Sequence, residues 1–297
     1  MKNVLIFLFC SFLSFEGRTQ LLLNQEGETF TDQPFFNRDI ILSNHIKTIE
    51  GTYSTKKPGD VIRESSDWVR YRFDEEGQLI ESLDIRTVNK KKDTVLHQYF
   101  YSKDGDLVAH RKSENGGYTK TVFDYDSLHH LRELNTYREI YNYRSNEVSQ
   151  SILLNTEYFQ FSEHGNVHTQ TKLNNYHLPY LDEISTFNQD GYLIERKFRY
   201  HMSGIEHQTS YHYDEHGLLS NKATFNEQEA VADEEWKYRY DAYGNLMEAH
   251  YYRYGQFQKD LQVVFDTKTQ LLGSTILRDV STNFMLILRF TKYTYYN

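Results

Sequence analysis

Tyr238-Arg239-Tyr240-Asp241-Ala242-Tyr243-Gly244-Asn245-Leu246 is the stretch that decides the fold. Two aromatic side chains two positions apart share one face of a β-strand. Asp241 supplies the side-chain acceptor that caps a type I turn, and Gly244 supplies a residue that takes positive φ without a steric cost. Leu246 opens a return strand. The nine residues therefore read as one antiparallel hairpin with a bulge at its turn.

The phrase recurs along the chain. Clear copies occupy residues 71–79, 99–107, 159–167, 185–193 and 211–219, with glycine at 77, 105, 165, 191 and 217. Two worn copies fit the same frame: residues 123–131, with His129 in the glycine position, and 263–271, with Thr269 there. Histidine is tolerated at positive φ, whereas β-branched Thr269 is not, so the 266–269 turn is expected to have a different geometry. The interval from 129 to 165 leaves room for a degenerate unit near Tyr141-Asn142-Tyr143. A period of about 26 residues marks a repeat architecture.

Alternation assigns the faces. Tyr71/Phe73, Tyr99/Tyr101, Phe123/Tyr125, Phe159/Phe161, Tyr211/Tyr213 and Tyr238/Tyr240 project to one side. The residues between them, such as Arg72, Asp124, Gln160, His212 and Arg239, are mostly polar, with Phe100 and Val264 as exceptions, and are expected on a wet face. Stacked copies build a ladder of rings, each cross-strand pair adding about 0.2–1 kcal/mol. Second turns fall at Ser113-Glu114-Asn115-Gly116-Gly117, Met202-Ser203-Gly204 and Arg253-Tyr254-Gly255-Gln256. Together these predict an all-β, up-and-down antiparallel meander of about sixteen strands. A sheet that wide curls, here into a spiral, a shell or an open barrel around the aromatic face.

The ends differ from the middle. Lys2, the mostly apolar run of residues 4–15, and small residues at Gly17 and Thr19 read as a secretory signal peptide over 1–19. Residues 20–66 lack the phrase and read as an N-terminal capping segment. It holds a short helix over 36–45 and a strand from Ile46 through Tyr53. Residues 67–297 form the repeat domain, ending in one or two strands over 284–296. The chain is acidic, with a formal charge of −9, and Lys90-Lys91-Lys92 is its longest basic run. That balance disfavours nucleic acid as a partner. Cys10 is the only cysteine and lies inside the signal segment, so strand pairing and packing must hold the mature protein without a disulfide.

The 238–246 phrase resembles the YD repeat of the RHS family, and the resemblance extends over about residues 67–275. It implies a β-hairpin array able to wrap into a hollow shell. In large family members the shell encloses a C-terminal toxin or belongs to a cell-surface adhesion protein. This chain is too short to enclose a toxin. It also lacks the Asp-Pro-x-Gly-Leu element that ends such shells, since none of Pro34, Pro58 and Pro179 follows an aspartate. What the resemblance implies here is the hairpin fold, a bias towards surface binding and an analogy to carbohydrate-binding repeats.

No nucleophile elbow, phosphate loop, His-Glu-x-x-His or cysteine nucleophile occurs, and repetition dilutes any unique catalytic centre. The reading is non-enzymatic, with no cofactor. His212/His216 and His164/His168 sit around turns, where helical metal-binding geometry does not apply, and Asp104/Asp106 and Asp124/Asp126 lack calcium-loop spacing. No metal site is expected. The functional hint is a set of aromatics outside the buried register or at turns: Phe100, Tyr118, Tyr192, Tyr243, Tyr251 and Tyr254. Rings on a β-surface stack on sugars or anchor protein partners. The expected function is an exported binder of a glycan or protein partner at the cell envelope or outside the cell. The alternatives are a structural or assembly component of an envelope complex and, third, a polysaccharide-acting hydrolase.

Overall fold

The computed structural model describes residues 38–114, 116–142, 147–226, 231–242 and 244–297. The signal segment, residues 20–37 of the capping segment and Tyr243 lie outside the described residues. A short helix, α1 (Arg38–Ser43), precedes β1 (Ile46–Lys56), β2 (Arg63–Phe73), β3 (Leu79–Val88), β4 (Lys91–Tyr101), β5 (Leu107–Glu114) and β6 (Gly117–Tyr125). There follow β7 (Leu131–Asn142), β8 (Glu147–His164), β9 (Val167–Leu173), β10 (Pro179–Phe187), β11 (Leu193–Tyr200) and β12 (Glu206–Tyr213). The chain ends with β13 (Leu219–Asn226), β14 (Glu234–Tyr240), β15 (Leu246–Arg253), β16 (Gln256–Phe265), β17 (Leu272–Asp279) and β18 (Met285–Tyr295).

Every strand pairs antiparallel with the next, and β18 pairs with β1. The meander is thus a closed barrel, which removes the two free edges that an open sheet presents. The eight hairpins of the repeat supply β2 to β17. The two strands beyond the expected sixteen are β1 and β18, which join the ends. β1 sits between β18 and β2 and acts as the closing stave of the wall. Thr48 and Thr294 hydroxyls meet across this seam at 2.6 Å, and Lys292 bonds Glu50 at 3.0 Å.

The turns follow the chemistry of the phrase. Asp74 Oδ1 accepts from Gln78 N at 2.7 Å while Gly77 N donates to the Asp74 carbonyl at 3.2 Å. Asp214 does the same for His216 N and Leu218 N, both at 2.9 Å. His129 takes the glycine's place with φ of 64°. At the Thr269 copy the turn gains a residue. Gln270 adopts φ of 58° and closes on the Asp266 carbonyl at 2.9 Å, so Thr269 escapes the left-handed region.

One copy departs from the frame. β8 continues through Ser162 to His164, which pairs with Val167 and leaves a two-residue Gly165-Asn166 loop. Ser162 therefore caps nothing there, and His164 and His216 do not occupy equivalent turn positions. Asx-turn chemistry appears instead at Asn174, whose Oδ1 accepts from Tyr176 N at 2.9 Å and Leu178 N at 3.0 Å, with His177 at φ of 58°. That turn joins β9 to β10, at the opposite end of the wall.

A register shift beside the second ring sets the side-chain pattern. It makes Phe73 face Leu79, Tyr101 face Leu107, Tyr213 face Leu219 and Tyr240 face Leu246. The second ring then reaches across to the preceding hairpin. Tyr101 Oη donates to the Leu79 carbonyl at 3.0 Å, Tyr125 to Leu107 at 3.0 Å, Tyr213 to Leu193 at 2.8 Å and Tyr240 to Leu219 at 2.8 Å. Tyr293 does the same with Leu272. Tyr296 spans β1 to reach the Phe73 carbonyl at 2.7 Å and repeats the stitch across the closing seam. Phenylalanine copies use ring packing instead: His130 stacks on Phe161 at 3.7 Å.

The ring-bearing face carries the main core: Ile46, Ile49, Val69, Tyr71, Phe73, Tyr211, Leu219, Tyr238, Leu246 and Val263, joined by Ile41 of α1. The opposite face is not simply wet, as the polar alternation suggested. It carries cross-strand ion pairs whose acids are buried. Glu81 binds Arg70 at 3.0 Å and Arg72 at 3.3 Å. Asp260 binds Arg278 at 3.0 Å. Burial works to raise the Asp182 carboxyl, but hydrogen bonds from Arg199, His201 and Thr171 outweigh it and hold the group at about 2. Neighbouring long side chains cover these pairs, which is why the face alternates in polarity without being exposed.

Candidate functional site

The hairpins differ in height, and that difference makes the site. β3 and β4 pair to their tip, from Glu81 with Gln98 up to Val88 with Lys91. The β4–β5 ladder begins only at His97 with Lys112. Residues 91–96 of β4 therefore rise above the last β5 pair. The β5–β6 hairpin turns back early, with Glu114 opposite Gly117, while β7 continues past Ile140 to Tyr141 and Asn142. The result is a notch in the rim. It is floored by Glu114, Gly116 and Gly117 and walled by β4 on one side and Tyr118 and Tyr141 on the other. Its volume is about 680 Å³, within the range of small-ligand sites.

The local sequence explains the shape. Gly116 holds φ of 78° in the tight turn. At Gly117 a Cβ would lie 2.2 Å from the Glu139 carbonyl oxygen, so β6 and β7 approach this closely only with glycine there. Ser113 Oγ accepts from Leu96 N at 2.8 Å and donates to the Thr94 carbonyl at 3.3 Å. The serine side chain thus takes the place of a backbone rung at the base of the notch.

Tyr118 is held from two sides. The Arg111 guanidinium carbon lies 3.9 Å from its ring centroid, and Tyr141 meets it edge-on at 5.8 Å with an interplanar angle of 78°. Arg111 is fixed in turn by Glu139 at 2.6 Å. Glu114 is tied through its carboxylate to Thr119 at 2.7 Å and through its carbonyl to Arg138 at 2.9 Å. Asp93 and Lys112 complete the polar lining. The arrangement offers a rigid aromatic surface, a strand edge and charges of both signs. That is the equipment of a binding site.

The five described aromatics of the expected six do not converge. Tyr118 alone among these five lines the notch. Phe100, 45% exposed, stands on the ion-pair face of β4. Tyr192, 39% exposed, leans on Tyr213 at 4.9 Å in the β10–β11 turn. Tyr254, 56% exposed, occupies the β15–β16 turn with φ of 47°. Tyr251 is half-buried on the ring-bearing face against Trp236 at 4.9 Å, with its hydroxyl on Glu234 at 3.0 Å. Tyr243 falls outside the described residues. Sequence reasoning missed Tyr141, Ser113 and the β4 edge. The aromatic run at Tyr141-Asn142-Tyr143 was a signal, but it pointed to a repeat unit.

A second cluster lies on the ring-bearing face. His97 Nδ1 and His110 Nε2 are 2.9 Å apart, and Tyr99 stacks on His110 at 4.9 Å. Burial lowers both imidazoles, His110 to about 4. Among the described residues, no three His, Cys, Asp or Glu side chains converge as metal ligands would.

No family model matches the chain, and no curated protein matches it. Solved structures do. A porin-like protein from Bacteroides uniformis ATCC 8492 aligns over 83% of this chain and 97% of its own, at 8% identity and a TM-score of 0.39. The TcdB2-TccC3 structure aligns over 74% of this chain and 15% of its own, at 11% identity and a TM-score of 0.30. The LolA superfamily protein NE2245 from Nitrosomonas europaea aligns over 88% and 94%, at 11% identity and a TM-score of 0.24. All three overlaps are loose.

Proposed function

We propose that this chain is an exported, non-catalytic binding protein of the cell envelope or exterior, with the rim notch around Tyr118 as its ligand site. The observation that carries the reading is the clamped Tyr118–Tyr141 pair above a glycine floor in a cavity of about 680 Å³. A YD-type repeat origin belongs to the same proposal. It is supported by six of the eight hairpins, whose turns close in the one pattern of the phrase at 74–77, 102–105, 126–129, 188–191, 214–217 and 241–244. Ligands of the expected classes are glycans and polypeptides. The test is a screen of immobilised residues 20–297 against an oligosaccharide array and a peptide library, repeated with Tyr118→Ala. Binding that depends on Tyr118 supports the site, and binding indifferent to it places the ligand elsewhere.

The assembly reading draws on a different feature. β8 pairs with β9 only from Tyr158 to His164. Residues 147–157 carry no β9 rung, and Val148, Ile152, Leu153 and Leu154 there are exposed. A strand edge of this kind, uncharged from Val148 to Thr156 and exposing apolar side chains, is a site for pairing with another chain. Stable association with an envelope component, lost on Leu153→Lys with Leu154→Lys, supports that role. Association unchanged by the pair rejects it.

A further inference from the structure

The notch has the shape of a missing stretch of strand, and this specifies the chemistry of its occupant. In an antiparallel strand the N–H and C=O of one residue point to the same side, and successive residues alternate. Leu96 N and the Thr94 carbonyl both bond Ser113 Oγ, on the β5 side. Lys92 shares their parity, so the backbone groups of Lys92 and Thr94 face the notch, while Asp93 and Val95 present theirs to β3. Ser113 thus occupies the edge at the Thr94 carbonyl and Leu96 N, and residues 91–93 rise roughly 10 Å above it at about 3.3 Å per residue. Below it the floor includes Gly116 and Gly117, which carry no side chain to fill the space.

From this edge we infer that the notch accepts an extended polypeptide segment, which adds as a strand to residues 91–94 of β4 and restores the wall above the β5–β6 tip. The inference rests on the notch being the ligand site and names the class of ligand it takes. A sugar chain does not present paired N–H and C=O groups at a two-residue repeat, whereas an extended peptide does. Main-chain bonds to the N–H and carbonyl of Lys92 and to the N–H of Thr94 supply register, since the Thr94 carbonyl already accepts from Ser113. Every second side chain of the peptide falls on the ion-pair face of the wall, where Tyr118 and Tyr141 stand.

The experiment uses phage-displayed random dodecapeptides on immobilised residues 20–297, with an oligosaccharide array in parallel. Enriched peptides are resynthesised with N-methyl groups on alternate residues, in both parities. The expected result is peptide binding that falls about tenfold or more with one parity of N-methylation, stays unchanged with the other, and is lost in Tyr118→Ala. Peptides that tolerate both parities overturn strand addition. So does an array hit that depends on Tyr118 when no peptide is enriched, although the notch then stands as a saccharide site. Absence of any Tyr118-dependent ligand overturns both the inference and the reading beneath it.

Discussion

Tyr240→Phe removes one hydroxyl from one stitch and tests whether the stitches hold the repeats together. The Tyr240 hydroxyl donates to the Leu219 carbonyl at 2.8 Å, and Leu219 is 0% exposed. No solvent reaches that residue to take the hydroxyl's place. A typical hydrogen bond contributes about 1 kcal/mol net, and leaving a buried partner unsatisfied costs about 1–3 kcal/mol. The expected loss is therefore about 1–2 kcal/mol. Urea unfolding followed by tyrosine fluorescence reads it as a lower midpoint at unchanged slope. Tyr101→Phe, eight strands away round the closed wall on β4, is expected to lose a similar amount, and the two losses should add. Tyr295→Phe is the control, since that ring is 49% exposed and sits outside the stitch positions. A Tyr240→Phe midpoint equal to or above that of the parent chain would refute the reasoning, because the hydroxyl would then contribute nothing.

Further expectations concern turns and titration. Gly191→Ala, at φ of 82° with open space around it, is expected to cost about 1 kcal/mol for backbone strain alone. Gly117→Ala should cost more, because the Glu139 backbone oxygen stands 2.2 Å from the new methyl and cannot swing away. Chemical denaturation of both variants checks the order. On the alkaline side, burial pushes Tyr53, Tyr99 and Tyr213 up to about 12. The unfolded chain loses these protons near pH 10 while the folded chain keeps them, so stability is full below pH 10 and is lost as pH rises towards 12. On the acid side, His97 and His110 are lowered by burial, His110 to about 4. The unfolded chain takes up these protons first, so stability declines as pH falls from about 6.5 towards 4. A His97→Gln/His110→Gln variant should lose that slope in a midpoint-versus-pH series. Below that window Asp182, held at about 2, contributes stability that is present above pH 3.8 and lost as pH falls towards 2.

The hairpins were legible because each is local: acceptor, glycine and paired rings lie within nine residues. Closure was not, since the β1–β18 seam joins Thr48 to Thr294, and no local signal marks a contact that distant. The Ser162 copy was misread because the phrase cannot show where a strand stops pairing, and here Ser162, Glu163 and His164 all stay in the ladder. Tyr251 was misplaced for a reason of register. Arg239 faces Glu248 but Tyr240 faces Leu246, so Met247 is the extra residue. The bulge returns the odd-numbered residues of β15 to the ring-bearing face, where Tyr251 opposes Trp236. Tyr118 stood out because it lies off the aromatic register. The notch around it follows from unequal strand heights, which composition and spacing do not encode.

The seam offers the most direct test. Glu50 and Lys292 are opposed Cα partners in the β1–β18 ladder. Cysteines at directly opposed positions lie within disulfide range. In a chain whose native Cys10 is changed to serine, Glu50→Cys with Lys292→Cys is expected to oxidise in air to an intramolecular disulfide. Mass spectrometry would then show one peptide linking the two ends of the sequence. Two free thiols in the folded monomer under the same oxidation would contradict a closed wall.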